Sequence, residues 1–139
     1  MRSLPLLLAA AIMSQGMTPA AAETPALRLE LNAADTVPSA CRLSFVIENP
    51  HDADIAQAVF ETVLFNADGS VNQLALFDFG AVPAGRLRVR QFDIADLPCD
   101  GLSRVLINGA NTCEATRTGD TVCAAPLRLS SRTAIALVG

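Results

Sequence analysis

The sequence predicts an all-β chain folded as a two-sheet β-sandwich, and three observations lead there. Its apolar segments are short and alternate with polar residues, as half-buried strands do. Turn residues, chiefly Pro, Gly, Asn and Asp, punctuate them roughly every ten to fifteen positions. Past the N-terminal stretch, no segment of a dozen residues carries a clean helical period.

That N-terminal stretch reads as an export signal. A positive charge at Arg2 precedes an apolar run from Leu4 to Met13, and the small residues Ala20, Ala21 and Ala22 stand before Glu23. Cleavage is expected after Ala22, leaving a single domain over 23–139. The run is about ten residues against the ~20 that span a bilayer, so a removable signal peptide is expected, with no stable membrane insertion after cleavage. With no twin arginine and no cysteine at the cleavage point to carry a lipid, the general secretory route is expected, to a periplasmic or secreted location.

The strands follow in order. Leu27, Leu29 and Leu31 alternate with Arg28 and Glu30, a first strand with one buried face. From Cys41 to Glu48 the residues Cys41, Leu43, Phe45 and Ile47 fall on one side, with Arg42, Ser44, Val46 and Glu48 on the other. Past the Asn49-Pro50 break, Ala56 to Phe65 is apolar on both faces apart from Glu61 and Thr62, as a central strand is. Asn66-Ala67-Asp68-Gly69 makes a turn into a fourth strand, Val71 to Phe79. Pro83-Ala84-Gly85 turns the chain into Arg86 to Ile94, Ser103 to Asn108 is a sixth strand, and Leu127 to Leu137 contains the seventh. Seven short strands in one domain point to an immunoglobulin-like sandwich.

The four cysteines are Cys41, Cys99, Cys113 and Cys123, and an exported chain is expected to hold them as two disulfides. If successive strands alternate in direction, the second and sixth run parallel and begin at the same end. Cys41 opens the second and Cys99 precedes the sixth, so Cys41–Cys99 is the natural pair. Cys113–Cys123 then staples the connection between the last two strands, although four cysteines allow three connectivities. On the chain-entropy model the long loop contributes about 4 kcal/mol and the short one about 3 kcal/mol.

Composition excludes several functions. Without its first 22 residues the chain keeps nine arginines against fourteen acids, a net charge near −5, and has no Lys, Met, Trp or Tyr. Nucleic-acid binding needs a basic face with stacking aromatics, and sugar platforms use Trp or Tyr, so both are disfavoured.

The segments Cys-Arg-Leu-Ser-Phe-Val-Ile-Glu-Asn-Pro (Cys41 to Pro50), Val-Leu-Phe-Asn-Ala-Asp-Gly (Val63 to Gly69), Val-Pro-Ala-Gly-Arg (Val82 to Arg86), Asp-Leu-Pro-Cys (Asp96 to Cys99), Arg-Val-Leu-Ile-Asn (Arg104 to Asn108) and Ser-Ser-Arg-Thr (Ser130 to Thr133) resemble small exported bacterial proteins labelled Tat pathway signal sequence domain proteins. The resemblance spans nearly all of residues 23–139. It implies export and an immunoglobulin-like fold, and carries over no catalytic residue. The missing twin arginine departs from the label.

Candidate sites are few. His51 with Asp52 and Asp54 has metal-ligand chemistry, but one loop histidine is ordinarily just solvated. A Ser/His/Asp hydrolase would have to use His51 as base, and no Gly-x-Ser-x-Gly elbow is present. Asp93 and Asp96 offer paired carboxylates at a strand end, where turn and capping roles are the ordinary ones. Arg86, Arg88 and Arg90 alternate with Leu87 and Val89, giving three guanidinium groups on one strand face at about 7 Å spacing, either a site for an anionic partner or a solvated face paired with acids such as Asp78 or Glu61. Arg117 lies near the centre of the segment from Cys113 to Cys123, a polar loop suited to recognition if its ends are bridged. The expectation is a noncatalytic module with no cofactor, binding another envelope or extracellular protein. A protease-inhibitor-like protein using the Arg117 loop, and an undetected hydrolase, are the alternatives.

Overall fold

The computed structural model describes residues 16–20, 25–117, 122 and 125–139. The cleavage point expected after Ala22 lies outside these residues, as does Cys123 of the second expected disulfide. The described chain is all-β: β1 (Arg28–Val37), β2 (Ala40–Glu48), β3 (Ile55–Asn66), β4 (Val71–Val82), β5 (Leu87–Ala95), β6 (Leu102–Ala115), β7 (Arg128–Ser131) and β8 (Ala136–Val138), with a 3-10 turn at Cys99–Gly101 before β6. They make two four-stranded sheets, ordered β5-β2-β1-β7 and β4-β3-β6-β8. No helix among the described residues is long and apolar enough to cross a membrane.

Alternation in β2 places Cys41, Leu43, Phe45 and Ile47 in the interior, all without solvent exposure. Opposite them in register stand Leu29 and Leu31 of β1, and Phe92 and Ile94 of β5. The second sheet supplies Phe60, Leu64, Phe77, Phe79 and Val105. Phe45 is the hub: its ring meets Phe77, Phe79 and Phe92 edge-on at 5.7 to 5.9 Å, while Phe77 and Phe92 stack. Edge-to-face pairs add about 0.5–1.5 kcal/mol each beyond the area they bury. Cys41 is joined to Cys99, so the start of β2 in one sheet is tied to the turn that opens β6 in the other.

Eight strands stand where seven are expected. The segment from Leu127 to Leu137 is two short strands in different sheets, β7 parallel to β1 and β8 parallel to β6. Local hydroxyl chemistry makes the break: the Ser131 hydroxyl donates to the Ile135 carbonyl and accepts from the Thr133 amide, and the Thr133 hydroxyl accepts from the Ile135 amide. Such bonds offer the backbone an alternative to a ladder. β1 runs on to Val37 past a register shift between Leu31 and Ala33. β6 extends to Ala115, so Cys113 lies inside a strand rather than after one.

Two turns form as read. Gly69 (φ 86°) closes the β3–β4 turn by donating to the Asn66 carbonyl, and Gly85 (φ 66°) donates to the Asn49 carbonyl in the β4–β5 connection. Both φ values lie where glycine carries no Cβ penalty.

Candidate binding surface

Each sheet has an outer face, and the ladder registers define what stands on it. On the first sheet, Arg28 and Glu30 of β1, Arg42, Ser44, Val46 and Glu48 of β2, and Leu87, Val89, Gln91 and Asp93 of β5 point outward. Their charges are matched within the chain. Arg42 grips Asp93 through two bonds of 2.8 and 2.9 Å, Arg28 pairs with Glu48, and Arg132 reaches Glu30 at 3.0 Å. The Arg42 guanidinium bonded to Asp93 holds that carboxyl below the usual carboxylate range, and Asp93 in turn raises Arg42. Glu30 is lowered first by the Asn32 amide and then by Arg132. Gln91 donates to the Ser44 hydroxyl at 2.9 Å. Exposed Leu87 and Val89 sit at the edge of this polar ladder.

The second sheet's outer face is built differently. Leu74, Val63, Leu106 and Val138 are direct cross-strand partners, so they form one unbroken apolar row across β4, β3, β6 and β8. The next row is Val71, Phe65, Arg104 and Ala136. On the other side of the apolar row, Leu76 stands opposite Glu61. Leu74, Leu76 and Val71 are 63%, 57% and 53% exposed, well above what a large aliphatic side chain shows when its own fold covers it. Phe65 is the one phenylalanine outside the core cluster, and the Arg104 guanidinium lies over its ring at 4.2 Å. Among the described residues, neither Glu61 nor Arg104 has a side chain of opposite charge as partner. Glu61 accepts instead from the Asn108 amide. Of this strip, Leu74, Leu76, Val71 and Val138 are exposed, Leu106 is half-buried and Val63 is buried.

This surface went unread in the sequence, though a signal was present. Apolar residues on both faces of Ala56 to Phe65 do mark a central strand. In a two-sheet sandwich the other sheet covers only one of those faces, so the second apolar face is surplus to the core. Leu74 and Leu76, out of phase with Phe77 and Phe79, repeat the signal in β4.

The arginines selected from the sequence take other positions. Arg86 precedes β5, while Arg88 and Arg90 share the face that β5 turns toward the core, opposite Ile47 and Phe45. Neither pairs with Asp78 or Glu61. Arg90 donates through Nε to the Phe79 carbonyl of β4 at 2.9 Å, and the guanidinium of Arg88 bonds its neighbouring Leu87 carbonyl. β4 and β5 are the edge strands on one flank of the sandwich. Inward-pointing charges that cap an edge carbonyl are a recognised guard against edge-to-edge pairing, and Arg90 fits that role.

Arg117 forms an exposed ion pair with Asp52, Nη2 to Oδ1 at 2.8 Å, while residues 118–121 of its loop lie outside the described residues. The histidine candidates are dispersed. Asp52 faces Arg117, Asp54 accepts from the Ala84 amide, and His51 donates its backbone amide to buried Asn49, its Nε2 shielded from solvent. No cluster of three or more metal-capable side chains occurs among the described residues. Asp93 and Asp96 do not converge: the first is in the Arg42 pair, and the second takes φ 60° past the end of β5 with its amide bonded to Ser39.

An apolar recess of about 260 Å³ opens between the sheets, lined by Phe60, Ile107, Cys113, Leu127 and Leu129 among others. It presents no convergent set of charged groups. No family model, curated protein or solved structure matches the chain.

Proposed function

We propose that this chain is an exported, noncatalytic, immunoglobulin-like module that acts by binding a protein in the cell envelope or outside the cell, and that the outer face of its second sheet is the contact surface. The observation that carries the reading is the exposed aliphatic edge Val71, Leu74 and Leu76 of β4, continued by the apolar row through buried Val63 and half-buried Leu106 to exposed Val138, on a sheet face that a sandwich ordinarily gives to water. Export rests on the leader pattern of Arg2, Leu4 to Met13 and Ala20 to Ala22, and agrees with the Cys41–Cys99 disulfide, a bond that persists in oxidising compartments. The resemblance to exported proteins carrying a Tat pathway signal sequence domain label points the same way. Binding through a rigid sheet face costs little ordering entropy, since β3 and β6 are already fixed by the core beneath them.

The test is in situ crosslinking of the exported protein and of a Leu74→Glu, Leu76→Glu variant. Both leucines are exposed, so the variant is expected to keep its folded circular dichroism and to lose most of its crosslinked product. An unchanged crosslinking pattern in the folded variant would remove this face as the contact surface.

A further inference from the structure

The reading above leaves the partner open, and the pattern of charge on the same face narrows it. We infer that the partner is a second copy of this chain, packed face to face through the second sheet about a two-fold axis that runs along the apolar row. This rests on the binding role just proposed for that face.

The argument is one of self-complementarity. A two-fold interface uses one patch twice, so a residue at one position must meet its own complement on the other copy. On β3, Glu61 and Phe65 stand two residues to either side of Val63, each about 7 Å along the strand. Phe65 is in register with Arg104, so an acid lies on one side of the apolar row and a base on the other. Asp78, opposite Val59, adds a second carboxylate beyond Glu61 on the acidic side.

An axis along the row exchanges the two sides. Val63 then faces Val63 and Leu74 faces Leu74, while Glu61 of each copy comes over the Phe65 and Arg104 row of the other. Glu61 and Arg104, neither of which has an ionic partner among the described residues, would then supply one another's. A two-fold along the strands would instead set the two acidic sides together. Like-charge juxtaposition opposes that arrangement. The first sheet's outer face offers no equivalent, since Arg28, Arg42 and Arg132 already hold Glu48, Asp93 and Glu30.

Size sets the expected strength. Four strands at about 4.8 Å and six residues at about 3.3 Å cover a footprint of roughly 400 Å² per copy. Two such footprints total about 800 Å², below the ~1,200 Å² where stable specific interfaces begin and in the range of weak, transient contacts, so a reversible, concentration-dependent dimer is expected rather than a permanent one.

Sedimentation equilibrium of the oxidised exported protein, from low micromolar to near-millimolar concentration, is the test. The expected result is an average mass that rises from one copy toward two. Glu61→Arg and Arg104→Glu, each confirmed folded by its melting temperature, should weaken association about tenfold or more, the scale of one close charge pair. Combining them exchanges the charges and should restore it. If Arg104→Glu fails to fold, Arg104→Gln beside Glu61→Gln serves the same comparison without reversing charge. Leu74→Glu should leave one copy at every concentration.

A single-copy mass throughout for the unaltered protein overturns the inference, as does a dimer indifferent to Glu61→Arg and Leu74→Glu, or a charge exchange that fails to restore association. Crosslinking separates this failure from failure of the broader reading. A protein that never self-associates but still loses a heterologous crosslink on Leu74→Glu, Leu76→Glu keeps its binding face and loses only the second copy as its partner.

Discussion

The two outer faces of this sandwich rest on the same kind of ladder and the same core, yet one is finished for water and the other is not. On the first sheet, Arg42 with Asp93, Arg28 with Glu48 and Arg132 with Glu30 form ion pairs within the chain, and Leu87 and Val89 at the β5 edge are the exposed large apolar residues on that polar surface. On the second, Leu74, Val63, Leu106 and Val138 form an unbroken row while Glu61 and Arg104 stand without ionic partners among the described residues. Exposed ion pairs contribute little to folding, typically under about 1 kcal/mol each. What the difference teaches concerns contact rather than stability. A face whose charges are internally neutralised resists association, and a face with an apolar strip and unmatched charges of both signs invites it.

The interior shared by both sheets sets the scale against which either face must be judged. Phe45→Ala should cost about 3–5 kcal/mol, because it removes the ring at the centre of the aromatic cluster. Calorimetry or far-ultraviolet circular dichroism must read it, since the chain has no Trp or Tyr. A loss below 1 kcal/mol would mean that the two sheets do not share this core, and the comparison of their outer faces would lose its footing. Replacing Cys41 and Cys99 together by alanine comes next, at about 2–5 kcal/mol, because that bond closes a long loop and ties one sheet to the other. A thermal melt of the double variant checks it.

Substitution on the outer faces should be far gentler to folding. Leu74→Glu with Leu76→Glu should move stability by no more than about 0.5 kcal/mol per site, the range for exposed positions, while removing the contact made by the second face. The matching change on the first face, Leu87→Glu with Val89→Glu, should alter neither folding nor contact. Equal loss of binding from both pairs would break the comparison.

The smallest effect lies in the acid limb of stability. The Asp93 carboxyl, lowered by its bond to Arg42, has a folded value below its unfolded one. Its contribution is therefore fully present above the ordinary carboxylate range and is lost as pH falls through the lowered value. Asp68, held down by the Ser70 hydroxyl and amide, and Glu30 act in the same direction. Asp93→Asn should flatten the acid slope slightly, through a small loss at neutral pH and none below the lowered value, as melting temperature against pH will show.

Much of the architecture was legible because some segments carry a strong local pattern. In β2 the alternation of Cys41, Leu43, Phe45 and Ile47 with polar neighbours names the buried face directly, and the link from Cys41 to Cys99 follows from where those cysteines stand relative to strand starts. The second half of β1, Asn32 to Val37, was silent because its residues are small or polar and a register shift breaks the period. The division between β7 and β8 was hidden because apolar residues continue on both sides of Ser130 to Thr133, and only the hydroxyl bonds reveal the switch of sheet. The arginine pattern gave a stripe but not its direction. Register with Phe45 and Ile47, a long-range fact, turns Arg88 and Arg90 toward the core side. The outer face of the second sheet was the least legible of all, since its apolar row is assembled from four strands distant in sequence.

Side-chain radical footprinting of the protein in intact cells, compared with the same protein purified and dilute, tests the central claim most directly. The account predicts that Val71, Leu74, Leu76 and Val138 are protected in the native setting and labelled when dilute, while Leu87 and Val89 are labelled equally in both. Equal labelling of the two sets, or protection confined to Leu87 and Val89, would contradict it.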